Sequence, residues 1–249
     1  MSRRVIALRN GSCAVAGNHV FQGGDPNVLY EFPLIVWLVE GGEEGPVLVD
    51  AGLGHVEEMN AGAAHVLARP IVQQPEEQMT AQLARWGYTP QEIRAVILTH
   101  LHFDHVDLLD LYSSAQIFVS RKGLEAATRF PNWMGSWAPH KTLKLLVQEA
   151  ADRTVPVDDA EILPGIRVFW IGGHTACSQC VVVETDAGPA LLAGDAIFRR
   201  ENLSRNSPIG IADDPAQART ALEVLRAFPG PIFPSHDPVI FEAYGGTFP

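Results

Sequence analysis

The 249-residue sequence is 47% apolar, enough to bury a substantial core as one large domain or two small ones. Its formal charge is −11 and no run of Lys or Arg stands out, which argues against phosphate-bearing partners, whether nucleic acid or an anionic membrane surface. The three cysteines (Cys13, Cys177 and Cys180) make no secreted disulfide framework, and no window approaches about 18 uninterrupted apolar residues, so a soluble protein of a reducing, cytoplasmic compartment is expected.

Along the chain, Val5 to Leu8 form a short mixed run that Asn10 and Gly11 interrupt too early for a signal-peptide core. A polar loop, Phe21 to Glu31, leads to Phe32-Pro33-Leu34-Ile35. Ile35 to Val39 and Val47 to Val49 read as strands around a Gly-rich turn. Glu76 to Trp86 reads as a helix, and Thr89-Pro90-Gln91-Glu92 as a helix start with Thr89 as N-cap and Pro90 in the first turn. The β-branched run Ala95 to Leu98 then reads as a buried strand. Further strands are expected at Gln116–Val119, Ile166–Ile171, Val181–Glu184, Ala190–Leu192 and Ile232–Phe233. Pro215 to Phe228 has helical spacing, with Ala218, Leu222 and Leu225 on one face. Strands interleaved with helices indicate an α/β layered fold. One domain over 1–249 is expected, with an aromatic and helical insertion around 130–155 that carries Phe130, Trp133, Met134 and Trp137.

The strongest chemical signal is Thr99-His100-Leu101-His102-Phe103-Asp104-His105, directly after the Ala95–Leu98 strand. Imidazole nitrogens and carboxylate oxygens are the ligands that zinc prefers. His100 and His102 are two apart, so extended backbone points both to one side, and a turn at Asp104-His105 would aim that pair at a second metal. Three later segments repeat the pattern of apolar strand, turn residue and ligand: Phe169–His174, Leu191–Asp195 and Ile232–His236. In layered α/β folds, sites form beyond the carboxyl ends of strands. Four strand ends delivering seven ligand-type side chains in order are hard to reconcile with a His-rich surface loop.

With these residues, the sequence resembles the metallo-β-lactamase superfamily. His100-x-His102-x-Asp104-His105, then His174, Asp195 and His236, match that family's binuclear pattern in type and order, from the early Val49-Asp50-Ala51-Gly52 to Ser235-His236-Asp237. The resemblance implies an αβ/βα four-layer sandwich with the binuclear site at the edge of the sheets. It implies that His100, His102 and His174 hold one ion, that Asp104, His105 and His236 hold the other, and that Asp195 bridges them. It also implies two divalent ions, with zinc expected, and a bridging hydroxide that attacks a carbonyl carbon. Asp104 or Asp195 would move the proton to the leaving group. Asp50 and Thr99 are candidates for orienting the ligand imidazoles, although Asp50 also fits an ordinary turn after a strand.

Within the superfamily the chain is similar to the small lactonases, the group of the N-acyl-homoserine lactonases and 4-pyridoxolactonase. A small-molecule lactone substrate and a monomer or homodimer are therefore expected; thioester hydrolysis of the glyoxalase II kind, or another metal-dependent acyl hydrolysis, is the alternative. The thioester alternative usually comes with a basic C-terminal domain, and little chain follows His236. The sequence departs from the lactonases at three places. Phe198 stands where they carry a tyrosine whose hydroxyl helps polarise the lactone carbonyl. Val106-Asp107 replaces the usual Gly-Gly, and Ala176-Cys177 replaces Pro-Gly.

The remaining candidates concern the substrate. Arg199 or Arg200 would suit an anionic substrate group, or form a solvated charge pair. Trp133 and Trp137 would wall the metals, or else form a packing patch or subunit contact. Cys177 and Cys180 read as small apolar residues near a strand start rather than as a redox pair. His19, His55, His65 and His140 lack a strand-end context, with room for His19 or His140 to line a pocket.

Overall fold

The computed structural model describes residues 3–129 and 139–248. Among these described residues, thirteen strands run in chain order: β1 (Arg4–Ala16), β2 (Leu29–Glu40), β3 (Val47–Val49), β4 (Leu67–Val72), β5 (Ala95–Ile97), β6 (Gln116–Ser120), β7 (Thr154–Val157), β8 (Ala160–Leu163), β9 (Ile166–Trp170), β10 (Gln179–Thr185), β11 (Gly188–Gly194), β12 (Ile232–Pro234) and β13 (Thr247–Phe248). They form an eight-stranded sheet in the order β13-β1-β2-β3-β5-β6-β7, with β4 also on β1, and a five-stranded sheet in the order β12-β11-β10-β9-β8. Pairing is parallel from β3 through β5 and β6 to β7, and between β11 and β12.

Alternation along the strands sets the layers. Ile35, Trp37 and Val39 of β2 point into the same core as Val181 and Val183 of β10 and Ala190 and Leu192 of β11, so this cluster joins the two sheets. Their neighbours point outwards. Val36 and Leu38 pack against Met79, Leu83 and Leu146 on one side. Val182 and Leu191 pack against Ala221, Leu222 and Leu225 of the Pro215–Arg226 helix on the other. Both sheets are thus covered on both faces, which explains their near-continuous apolar runs. The result is the helix–sheet–sheet–helix sandwich expected from the sequence.

Two elements differ from expectation for local reasons. The helix read over Glu76–Trp86 is broken: a single 3₁₀ turn, Pro75–Glu77, precedes the helix Met79–Arg85, because Gln78 is extended at φ −62°, ψ 140°. Thr89-Pro90 does open a turn, and the Glu92 carboxylate accepts from both the Thr89 N–H and its hydroxyl at 2.7 Å. That turn stops at Glu92, since Ile93 is again extended and leads into β5. Asn10-Gly11, which interrupts the first apolar run, lies inside β1. It forms a bulge between Arg9 and Ser12, with Gly11 at φ 132°, and β1 continues to Ala16.

Within the stretch read as an insertion, Leu145, Leu146 and Ala150 pack into the outer core and β7 pairs with β6. Phe130, Trp133, Met134 and Trp137 lie outside the described residues.

Candidate metal centre

The ligand-type residues meet where β5, β9, β11 and β12 end. His100 and His102 lie in the extended stretch that leaves β5, with His102 at φ −68°, ψ 150°. The chain then coils into one helical turn, Phe103–Val106, which carries Asp104 and His105. The turns before His174 and Asp195 require glycine. Gly173 has φ 83°, and a Cβ there would lie 2.7 Å from the Ala218 backbone. Gly194 has φ 51°, and a Cβ there would lie 2.7 Å from the Thr99 side chain.

Two groups result. His100, His102, His174 and Asp195 offer ligand atoms within 4.8 Å of one another, and so do Asp104, His105 and His236. Asp195 faces both groups, one oxygen to each. Its Oδ2 lies 3.6 Å from His100 Nε2 and 3.3 Å from His174 Nε2. Its Oδ1 lies 3.5 Å from His105 Nε2 and 3.1 Å from His236 Nε2. His174 Nε2 and His102 Nδ1 are 3.0 Å apart, while Asp104 Oδ2 is 3.5 Å from His105 Nε2 and 3.9 Å from His236 Nε2.

The second ring nitrogen of four of these imidazoles is occupied, and this fixes their tautomers. His174 Nδ1 meets the Ile211 carbonyl at 2.9 Å and His236 Nδ1 the Pro33 carbonyl at 3.0 Å; a carbonyl only accepts, so each Nδ1 carries the proton. His105 Nδ1 donates to Asp50 Oδ2 at 2.7 Å. His100 Nδ1 donates to the Thr99 hydroxyl at 3.0 Å, which in turn donates to Asp50 Oδ2 at 2.9 Å. Asp50 also accepts the Thr99 N–H at 2.8 Å. It is fully buried at φ 68°, a left-handed conformation that costs a residue with a Cβ, and these bonds hold it there. Asp50 and Thr99 thus bond the imidazoles of His105 and His100. Asp107, in the place of a family glycine, accepts the Gly54 and His55 N–H groups and the His55 ring, each at 2.9 Å.

The electrostatics follow from burial among like and unlike charges. Burial, then neighbouring His105, pushes His100 well below the ordinary imidazole range; burial and His174 do the same to His102. Burial also opposes charge on His105 and His236, but the carboxylates win. Asp104, Asp195 and Asp50 hold His105 up, and Asp195 and Asp104 hold His236 up. Burial works against ionised Asp195 as well, yet His236, His105 and His100 hold it well below the usual carboxylate range.

This donor set fits two divalent cations. His100 Nε2, His105 Nε2 and Asp195 Oδ1 are buried without a hydrogen-bond partner. Each such orphan costs about 1–3 kcal/mol, which a cation between them removes. Four donors held at about 2.0–2.1 Å from a tetrahedral ion stand about 3.3 Å apart, close to the observed separations.

The centre forms the floor of a cavity whose free space, counted through its open mouth, is about 570 Å³. Its walls are Cys13, Val15, Phe32 and Leu34 of β1 and β2, then Ala63, Val66, Leu67 and Ile71, with Phe103, Phe198 and Ile211. Phe198 packs on Phe32, His174 and His236 with ring centroids 5.2–5.8 Å apart.

Arg199 and Arg200 are not brought to this cavity. Arg199 bonds Glu201 and the Glu31 carbonyl, and Arg200 bonds the Tyr244 hydroxyl and lies against Asp237. Neighbouring acceptors hold both guanidinium groups elsewhere. Trp133 and Trp137 lie outside the described residues. Cys177 and Cys180 are buried free thiols, with no disulfide between them. His140 opens an outer helix and His55 sits on Asp107; neither is in the wall. Sequence reasoning missed the carbonyls of Ile211 and Pro33, which leave no side-chain signature, and Asp107, whose only signal was an acid in place of glycine.

Comparison with known proteins agrees with this geometry. The chain is 28% identical over 245 residues to the N-acyl homoserine lactonase AiiA of Bacillus thuringiensis subsp. kurstaki, covering 96% of this chain and 92% of the relative. A solved N-acyl homoserine lactone hydrolase, with the product N-hexanoyl-L-homoserine at its catalytic metal centre, superposes with a TM-score of 0.79 at 26% identity, covering 98% of this chain and 96% of the other. A dizinc quorum-quenching lactonase at 15% identity shares the fold, with a TM-score of 0.69 over 98% of this chain and 89% of its own. The family model described as the metallo-beta-lactamase superfamily matches residues 32–236, well over half of the sequence, and the chain belongs to that superfamily.

Proposed function

We propose that this chain is a two-metal lactonase whose substrates are neutral lactones bearing an acyl chain, the N-acyl homoserine lactones first among them. The observation that carries the reading is Asp195 on the floor of an apolar cavity, with one oxygen turned to each of two His/Asp groups. The names of the relatives above support it.

His100, His102 and His174 would hold one ion, Asp104, His105 and His236 the other, and Asp195 both. The nitrogen and oxygen donors favour zinc. When bound, two such ions lower the pKa of a water to near neutrality and draw charge from a carbonyl oxygen. The chain's own residues do the rest. Asp104 is partly exposed in the cavity wall, so it can pass the proton released by water to the ring oxygen as the ester C–O bond breaks. Water adds across that bond, giving a hydroxy acid. Asp195 turns one oxygen to each group of imidazoles and would act as a fixed anion between them. Phe198 has no hydroxyl to donate; it packs against His174 and His236 and keeps water from them. The apolar walls accept a hydrocarbon chain, as such cavities do for mostly apolar ligands. No helix among the described residues is long and apolar enough to cross a membrane. The three free, buried thiols fit a reducing cytoplasm.

The test is proton release from a lactone panel by zinc-loaded protein, with His102→Ala as control. Turnover that disappears in the control supports the assignment. Cleavage of acyl thioesters, with all lactones intact, would replace it.

A further inference from the structure

One wall of the cavity is a strap. Residues 63–71 supply Ala63, Val66, Leu67 and Ile71 to it, while Ala64 and His65 between them are exposed. The strap is an edge element. Among the described residues β4 pairs only with β1, in a register that shifts twice. Side chains tie it down at two points. Asn60 holds Ile71 in both directions, accepting its N–H at 2.6 Å and donating to its carbonyl at 3.0 Å. At the other point, His19 Nδ1 lies 3.2 Å from the Val66 carbonyl, and since a carbonyl only accepts, the ring donates.

His19 belongs to the turn Gly17–Val20, and its own carbonyl accepts the N–H groups of Gly210 at 2.9 Å and Ile211 at 3.1 Å. Ile211 lines the same cavity, and its carbonyl holds the His174 ring. The contact is too close for any residue but glycine at 210, since a Cβ there would lie 1.8 Å from the Asn18 carbonyl oxygen. One residue therefore joins, through its ring and its carbonyl, the strap on one side of the cavity to the loop that aims His174 on the other.

From this we infer that His19 is a clasp on the cavity wall and sets which acyl chain lengths the site accepts, a role that rests on the lactonase reading above. His19 is not in the wall itself. It acts through Val66 and is a positioning residue. Truncating the ring releases the strap at Val66 but leaves the carbonyl bonds to Gly210 and Ile211, so His174 keeps its aim. A loosened wall must be ordered again by each long chain that binds, and that cost falls on affinity rather than on bond cleavage. Short chains barely reach the strap and escape it.

The test compares wild type, His19→Ala and His19→Asn, the last because an Asn side-chain amide places an N–H donor near the position of Nδ1. Butyryl- and decanoyl-homoserine lactones are the substrates, and amide hydrogen exchange of residues 63–67 is read separately. Expected for His19→Ala are faster exchange at 63–67, a KM for the decanoyl substrate raised about fivefold, a butyryl KM within about twofold, and kcat changing less than KM. His19→Asn should restore both the exchange and the chain-length profile. An unchanged exchange pattern overturns the clasp whatever the activity. Faster exchange with an equal loss on both substrates overturns its role in chain selection. Wild type inert on every lactone would strike the lactonase reading instead, and the exchange comparison would still judge the clasp.

Discussion

The metal edge and the strap line one cavity and are built in opposite ways. At the metal edge, ligands leave four buried strands, and four imidazoles have their second nitrogen fixed by Asp50, Thr99 or a main-chain carbonyl. At the strap, an edge strand with one neighbour is held by Asn60 and by His19. Such preorganisation keeps lone pairs aimed where positive charge must sit. The strap needs only apolar surface, which is non-directional and tolerates small shifts. On the proposed function, chemistry would rest on the more tightly bonded of the two regions and selection of the chain on the looser one.

Substitutions at the two regions should separate accordingly. Asp195→Asn removes the charge between the two groups and should lower kcat/KM by about 10³-fold or more on every substrate alike, with metal content falling in parallel by elemental analysis. A loss confined to one chain length would break the contrast. Asp50→Ala leaves His105 Nδ1 and Thr99 without their shared acceptor and should weaken metal binding about 10–100-fold in a chelator competition, again regardless of substrate. Leu67→Ala, on the strap, should cost roughly tenfold in kcat/KM for a decanoyl lactone and little for a butyryl one, since a pocket reads a missing methylene at about 1–3 kcal/mol.

The smallest effect is expected at Cys13, in the wall beneath the strap. Burial, with Asp104 adding to it, pushes its thiol up to about 12. A raised thiol pKa means less thiolate, so between pH 6 and 9 the group stays neutral and acts as a small apolar side chain. Cys13→Ala should leave the shape of the pH–rate profile unchanged over that range. A new inflection would assign the thiol a titrating role.

The cluster of His and Asp side chains was legible because its information is carried by side chains of distinctive type in a distinctive order. His100 to His105, His174, Asp195 and His236 each follow a strand end that the apolar runs already mark. The clamps on those ligands were half legible. Asp50 and Thr99 could be named, but Pro33 and Ile211 act through carbonyls that any residue would supply. The strap was not read at all. Leu67–Val72 lacks the alternation of a half-buried strand, because Ala68, Arg69 and Pro70 are all exposed and only Ile71 is buried. Arg199 and Arg200 looked available because the acids and carbonyls that take them come from other parts of the chain, Glu31 and Asp237 among them.

The bulge at Gly11 also divides the free edge of β1. β13 pairs with Val5 and Ile6 before it, while β4 pairs with Ser12 to Val15 after it. β2 runs along the opposite edge for the whole length. The C-terminal closure of the sheet and the substrate wall therefore occupy separate berths on one strand. An insertion, deletion or graft between Asn60 and Val72 can rewrite the second berth while the first stays docked. For engineering, that makes the strap an exchangeable cassette, and a new substrate range can be sought there without touching a residue that faces the metals.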